Sequence, residues 1–291
     1  MKKFNKSTVA FTAIAASIFI FSSTVIAAGI PLSVIGPHEY ALPVNYEPFN
    51  AVAQYSFIQT DNMAFDSAGK RVDGPGTFTA VGFTKYVRFF TFKSLPDVGF
   101  AWEYLQPEIS VQKAGVSASG LGDPLTGLAV WIKPNKNSTL GLQSFLSIPV
   151  GSDAVSDKTW GSLTTIIGDL QLGDVDIDGQ TGYIHKSTRH LNGANDVDPG
   201  DTFHANLRMG YRAHQYLEPF FAADYQTTGS STDQVTGSAV PNSASNELSC
   251  GGGLMVHFSD PLSLTMRYDY GLDGKNTAVT NAFHFKIVYI W

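Results

Sequence analysis

Hydrophobic and polar residues alternate with a period of two over much of this chain. Phe283, Phe285, Ile287, Tyr289 and Trp291 form one row, with His284 and Lys286 between them. Leu262, Leu264, Met266, Tyr268 and Tyr270 alternate with Ser263, Thr265, Arg267 and Asp269. Phe203, Ala205, Leu207, Met209 and Tyr211 alternate with His204, Asn206, Arg208, Gly210 and Arg212. Leu217, Pro219, Phe221, Ala223 and Tyr225 alternate with Glu218, Phe220, Ala222 and Asp224. Leu140, Leu142, Leu146 and Ile148 stand opposite Gly141, Gln143 and Ser147. A period of two is that of an extended strand, whose successive side chains point to opposite faces. The runs are about nine to eleven residues long, the length of a strand tilted across a bilayer. An ordinary globular strand averages about five or six. Several apolar rows end in Tyr211, Tyr225, Tyr270 or Trp291. Such amphipathic rings settle at a membrane–water boundary.

The pattern predicts strands at 49–60, 77–92, 98–112, 122–133, 139–150, 161–171, 175–187, 202–213, 216–227, 246–258, 262–272 and 281–291. The early ones, over 77–133, alternate less cleanly. The connections alternate in length. Those at 61–76, 113–121, 151–160, 188–201, 228–245 and 273–280 are long and rich in Gly, Asp, Asn and Ser. Those at 93–97, 134–138, 172–174, 214–215 and 259–261 are short. Long loops on one side and short turns on the other mark an all-β fold, a transmembrane antiparallel up-and-down β-barrel of about twelve strands. The sheet must close, because an open edge would leave backbone groups unpaired in lipid. Strand spacing and tilt give a backbone cylinder roughly 24 Å across, so the expected lumen is narrow or packed. A soluble periplasmic β protein is the alternative that the alternation alone leaves open.

Composition agrees with this picture. The chain has 291 residues, 43% of them hydrophobic and only 15% charged. A soluble domain averages about 25% charged. Residues 1–27 read as a signal peptide, with Lys2, Lys3 and Lys6 before an apolar stretch and a small-residue end. The remainder carries 16 basic against 25 acidic residues, a net charge of −9, which argues against nucleic-acid binding. The one cysteine, Cys250, cannot form an internal disulfide. Residues 28–48 are proline-rich and not strand-like, and are expected to enter the barrel as a partial plug. The barrel itself is expected over 49–291.

The segment Ser119-Gly120-Leu121-Gly122-Asp123-Pro124-Leu125-Thr126-Gly127-Leu128-Ala129 resembles a loop-to-strand motif of the outer-membrane transporters of the MetA-pathway of phenol degradation. Asp176–Tyr183, Pro199–His204 running to Gly210–Arg212, and the last two strands are similar to the same family. The resemblance covers about 45–291. It implies an outer-membrane barrel of a Gram-negative bacterium that passes small hydrophobic or aromatic compounds. The terminal strand, ending in Trp291, resembles the signal read by the barrel-assembly machinery. Pro124 departs from the family pattern, and a bulge or strand start is expected there.

The polar rows supply the candidate pore lining: Asp176, Asp178, Gln180, His204, Asn206, Arg208, Glu218, Asp224, His257, Arg267, Asp269, His284 and Lys286. Their mixed charges could pair to hold the wall or set a transverse field for solutes. Asp174, Asp176, Asp178 and Gly179 match half of an EF-hand loop, but position twelve is His185 rather than Glu. Lining of the lumen accounts for them more simply, and no metal site is expected. Asn195, Asp196, Asp198 and Asp201 form an acidic cluster in a long loop, read as a solvated loop, with a divalent cation bridging the loop or lipopolysaccharide as the alternative. Gly251-Gly252-Gly253 fits relief of crowding in the wall. No nucleophile motif appears, so neither catalysis nor a cofactor is expected. The leading reading is a passive transporter for small solutes. The alternative is a structural or adhesive barrel acting through its loops.

Overall fold

The computed structural model describes residues 35–113, 115–190, 195–259 and 261–291. The predicted signal peptide lies outside these residues. Every regular element described is a strand. In order they are β1 (Phe49–Phe65), β2 (Arg71–Phe92), β3 (Leu95–Lys113), β4 (Val116–Leu121), β5 (Leu125–Asn135), β6 (Ser138–Ser147), β7 (Gly161–Leu172), β8 (Val175–Lys186), β9 (Val197–Asp198), β10 (Thr202–Tyr211), β11 (Leu217–Thr228), β12 (Thr232–Asp233), β13 (Ser245–Ser259), β14 (Leu262–Lys275), β15 (Thr277–Ala278) and β16 (Asn281–Ile290).

Antiparallel neighbours follow one another round the sheet, and β1 pairs both β2 and β16. The barrel is therefore closed. Ala51 stands between Val87 on one side and Ile290 on the other. Twelve strands make the wall, with β4 and β5 as one interrupted strand: both pair β3, β4 over Glu108–Lys113 and β5 over Val98–Leu105. The interruption falls at the predicted Pro124, and β5 starts one residue later. Proline has no N–H for a ladder, and Pro107 sits at the same level of β3. Gly122 N–H donates to the Pro107 carbonyl at 2.9 Å across the gap. The stretch expected as an external connection, 113–121, is thus mostly strand, because β3 and β4 carry on as a hairpin beyond the β5–β6 end.

Exposure follows the alternation. Phe203, Leu207, Met209 and Tyr211 of β10 are exposed, whereas His204, Asn206 and Arg208 are buried. Exposed rings gather at two levels of the outer surface. Tyr211, Tyr216, Phe258, Tyr289 and Trp291 lie at the short-turn end, and Trp160, Tyr183, Phe203 and Tyr225 lie near the long-loop end. The weak alternation of the early strands has a cause. Their inward faces are also apolar, with Ala53, Tyr55 and Phe57 of β1, Val81 and Phe83 of β2 and Ile109 of β3 packed in one buried cluster. Two long loops are partly built: β9 pairs β12, joining 188–201 to 228–245.

Candidate functional site

The inward face is where the polar rows meet, and most of its charges are paired. Arg208 on β10 reaches Asp224 on β11 at 2.9 Å, and Arg267 on β14 reaches the same carboxylate at 3.5 Å. Arg267 also holds Asp269 at 2.6 Å, and His284 Nε2 lies 2.9 Å from Asp269. Asn206 Nδ2 donates to Asp224 Oδ1 at 2.5 Å, and Gln180 Nε2 donates to Asn206 Oδ1 at 3.0 Å. His204 Nδ1 lies 3.1 Å from that same Asn206 oxygen. A burial cost of several kcal/mol per ion makes such mutual satisfaction necessary.

Residues 35–48 run against this face. Glu39 takes the Lys286 ammonium at 2.5 Å and the Tyr55 hydroxyl at 2.8 Å. His38 Nε2 lies 2.7 Å from Glu218 Oε2, and His38 Nδ1 lies 3.0 Å from Asp176 Oδ1. The Tyr40 backbone N–H donates to Asp178 Oδ1 at 2.8 Å, and its hydroxyl donates to Gln180. Arg208 Nε donates to the Ile35 carbonyl at 2.8 Å. Further along, Leu42, Val44 and Tyr46 pack on the buried cluster of Ala51, Val87, Ala101, Ala129 and Trp131. Tyr46 stacks on Trp131, and the Trp131 indole N–H donates to the Pro43 carbonyl at 2.7 Å.

Of the residues expected to line the pore, Asp176, Asp178, Gln180, His204, Asn206, Arg208, Glu218, Asp224, Arg267, Asp269, His284 and Lys286 are buried on the inward face. His257 is half-exposed, 3.8 Å from Glu218. Arg212 lies past the end of β10 and is exposed, so it does not belong to the inward row. The half EF-hand is no loop: Asp176, Asp178 and Gly179 sit in β8, in ladder register with β10. Sequence reasoning missed Lys85 and Glu103, which pair at 2.6 Å with Gln143 on the same carboxylate. It also missed Asp169, buried on β7, and Val155, which the 148–160 loop carries into the inner apolar cluster. The regular alternation of β7 would have found Asp169, whereas Glu103 alternates with exposed neighbours only over a short part of β3, where the period is weak. Nothing local marks Val155.

The family model of the MetA-pathway of phenol degradation matches residues 60–287. The chain belongs to this family. No curated protein matches it. Among solved structures, an outer membrane channel from Pseudomonas putida F1 superposes with a TM-score of 0.75 at 16% identity, over 88% of this chain and 100% of that one. The β domain of the Bordetella autotransporter BrkA gives a TM-score of 0.51 at 13% identity, over 84% of this chain and 99% of that one. These likenesses concern the barrel fold. This member of the MetA-pathway family is a twelve-stranded outer-membrane barrel whose inward face carries paired charges.

Proposed function

We propose that the barrel passes small hydrophobic or aromatic compounds passively across the outer membrane, and that residues 35–48 act as a partial plug. The observation that carries this reading is the composition of the inward face. It sets an apolar, aromatic surface (Tyr55, Phe57, Phe83, Trp131) beside a band of mutually paired charges. Flat apolar solutes would find contact area there when the N-terminal segment shifts off this surface, and the paired band imposes little net field. The P. putida protein of the same fold is an outer membrane channel. No nucleotide or cofactor enters the mechanism, since diffusion down a gradient suffices, and no catalytic step is assigned.

The test is paired. Planar bilayers would compare the mature chain with a deletion of 35–47, and vesicle uptake would use phenols, aromatic acids and alkanes. The deletion should raise conductance several-fold and speed uptake. Equal conductance of both forms removes the plug, and no flux of any solute through either form removes the channel. Export requires loss of residues 1–27, so the intact mass should correspond to a mature start near Ala28. The terminal strand with Trp291 is the segment offered to the barrel-assembly machinery, and lipid with lipopolysaccharide surrounds the exposed rows.

A second reading keeps one observation in its favour. The external loops are folded, with β9 paired to β12 and Asn195 Nδ2 donating to Asp233 Oδ2 at 2.6 Å. A built loop surface suits a structural or adhesive role. Binding of whole cells to a surface that deletion of 230–242 from the β9–β12 loop pair abolishes, without solute flux, would favour it.

A further inference from the structure

Three carboxylates crowd the inward face where β7 meets β8. Asp169 and Asp178 stand opposite each other in the ladder, and Asp176 is two residues along. All three are buried. Asp169 Oδ2, Asp176 Oδ1 and Asp178 Oδ2 have no hydrogen-bond partner among the described residues. His38 and Lys133 are the cations that act on Asp169, and the Lys133 ammonium also donates to the Leu42 carbonyl at 3.4 Å.

His38 enters this cluster from the N-terminal segment. One ligand atom each from His38, Asp169 and Asp176 lie within 4.8 Å of one another. Glu218 lies 2.7 Å from His38 Nε2, and a carboxylate there fixes the proton on Nε2 and leaves the Nδ1 lone pair for a cation. His38 Nδ1 and Asp176 Oδ1 are 3.0 Å apart, yet they do not meet hydrogen-bond geometry. Two ligands at about 2.1 Å from one tetrahedral ion stand about 3.4 Å apart, with neither aimed at the other, so a few tenths of an ångström of opening would admit the ion. The metal-free alternative is an imidazolium held between Asp176 and Glu218, with a proton shared between Asp169 and Asp176, and titration with the metal separates the two.

We propose that His38, Asp169 and Asp176 bind a divalent first-row transition cation of the zinc class, with Glu218 as the positioning residue for His38. Mixed imidazole and carboxylate donors suit such an ion better than calcium, which prefers oxygen alone. The ion ties the N-terminal segment to the wall at β7–β8. The binding claim stands on the cluster alone. Its consequence for conductance rests on the plug reading above.

Calorimetric titration of zinc chloride into metal-stripped, folded mature protein tests it. One zinc per barrel is expected. Asp169→Asn and His38→Gln should each weaken binding at least tenfold, and Glu218→Gln should weaken it less. His38 is not part of the wall, so His38→Gln remains informative if Asp169→Asn fails to give heat-modifiable barrels. Absence of zinc binding at micromolar concentrations overturns the proposal. So does binding that survives both variants but disappears with His185→Ala or His190→Ala, which would place the ion on the external loops. In bilayers, chelator should raise the conductance of the wild type and leave His38→Gln unchanged. If zinc binds as described but chelator changes no current, the plug reading fails and the site stands.

Discussion

Asp224 shows how much a single carboxylate organises here. It accepts from Asn206 and faces two guanidinium groups, Arg208 on the adjacent β10 and Arg267 on β14, two strands away. Removing one partner of a buried pair costs about 3–5 kcal/mol, because the remaining charge stays buried. Asp224→Ala should lower barrel stability by about that amount in urea-induced unfolding from vesicles, whereas a loss below about 1 kcal/mol would mean the band is solvated. Asp157 in the 148–160 loop offers a residue-scale pH dependence. Burial raises its pKa, but Lys186 and Arg189 outweigh this and hold it below its usual 3.8. A depressed folded value gives stabilisation that is complete above about pH 3.8 and is lost as pH falls through the lower folded value. Proteolysis or hydrogen exchange of 148–160 should therefore stay slow at neutral pH and quicken below that point. Asp157→Asn should exchange quickly at every pH.

At the scale of elements, β3 and β5 are shaped to hold a large ring inside the barrel. Gly99 on β3 is the ladder partner of Trp131 on β5. A Cβ at Gly99 would meet the Trp131 ring at 2.2 Å. The missing side chain makes room for an indole that stacks on Tyr46 and bonds to Pro43. Overpacking of this kind typically costs about 1–3 kcal/mol. Gly99→Ala should therefore destabilise the barrel and loosen the N-terminal segment. In a Trp131→Leu background the same change should cost much less, and a double-mutant cycle measures the difference. Full additivity would mean that the ring does not occupy that space. The glycine triad of β13 follows the same logic, since a Cβ at Gly253 would meet the Phe220 ring at 2.5 Å.

For the whole molecule, closure depends on the seam between β1 and β16. Asn50 and Trp291 exchange two backbone hydrogen bonds there, at 2.8 and 3.0 Å, and Trp291 stacks on Tyr289. The side chain faces outward. Trp291→Ala should leave refolding in detergent nearly intact while lowering the folded, heat-modifiable fraction in outer membranes several-fold. Equal fractions in cells would show that assembly does not read this residue.

The amino-acid order alone determined the barrel, a strand number of twelve to within two, and the faces of its later strands; closure of the sheet decided the number. Period-two alternation is a local property, and a lipid-facing row beside a polar row leaves a plain record of it. For that reason His204, Arg208, Asp224 and Lys286 could be placed on the inward face from their position in a row. The record fades where both faces are apolar, as in β1 to β3, and where Gly122 and Pro124 divide one strand into two. Only the tertiary structure decided which inward charges meet. Arg267 and Asp224, or His38 and Asp176, lie far apart in sequence, and their pairing depends on closure and on a segment without any period. The same is true of Val155, carried inward by a loop, and of the Asp169 cluster, which exists because β7 and β8 pair in one register and His38 arrives from outside both. Periodicity fixes a side chain's direction, whereas its neighbours across a lumen are set by the closed shape of the whole chain.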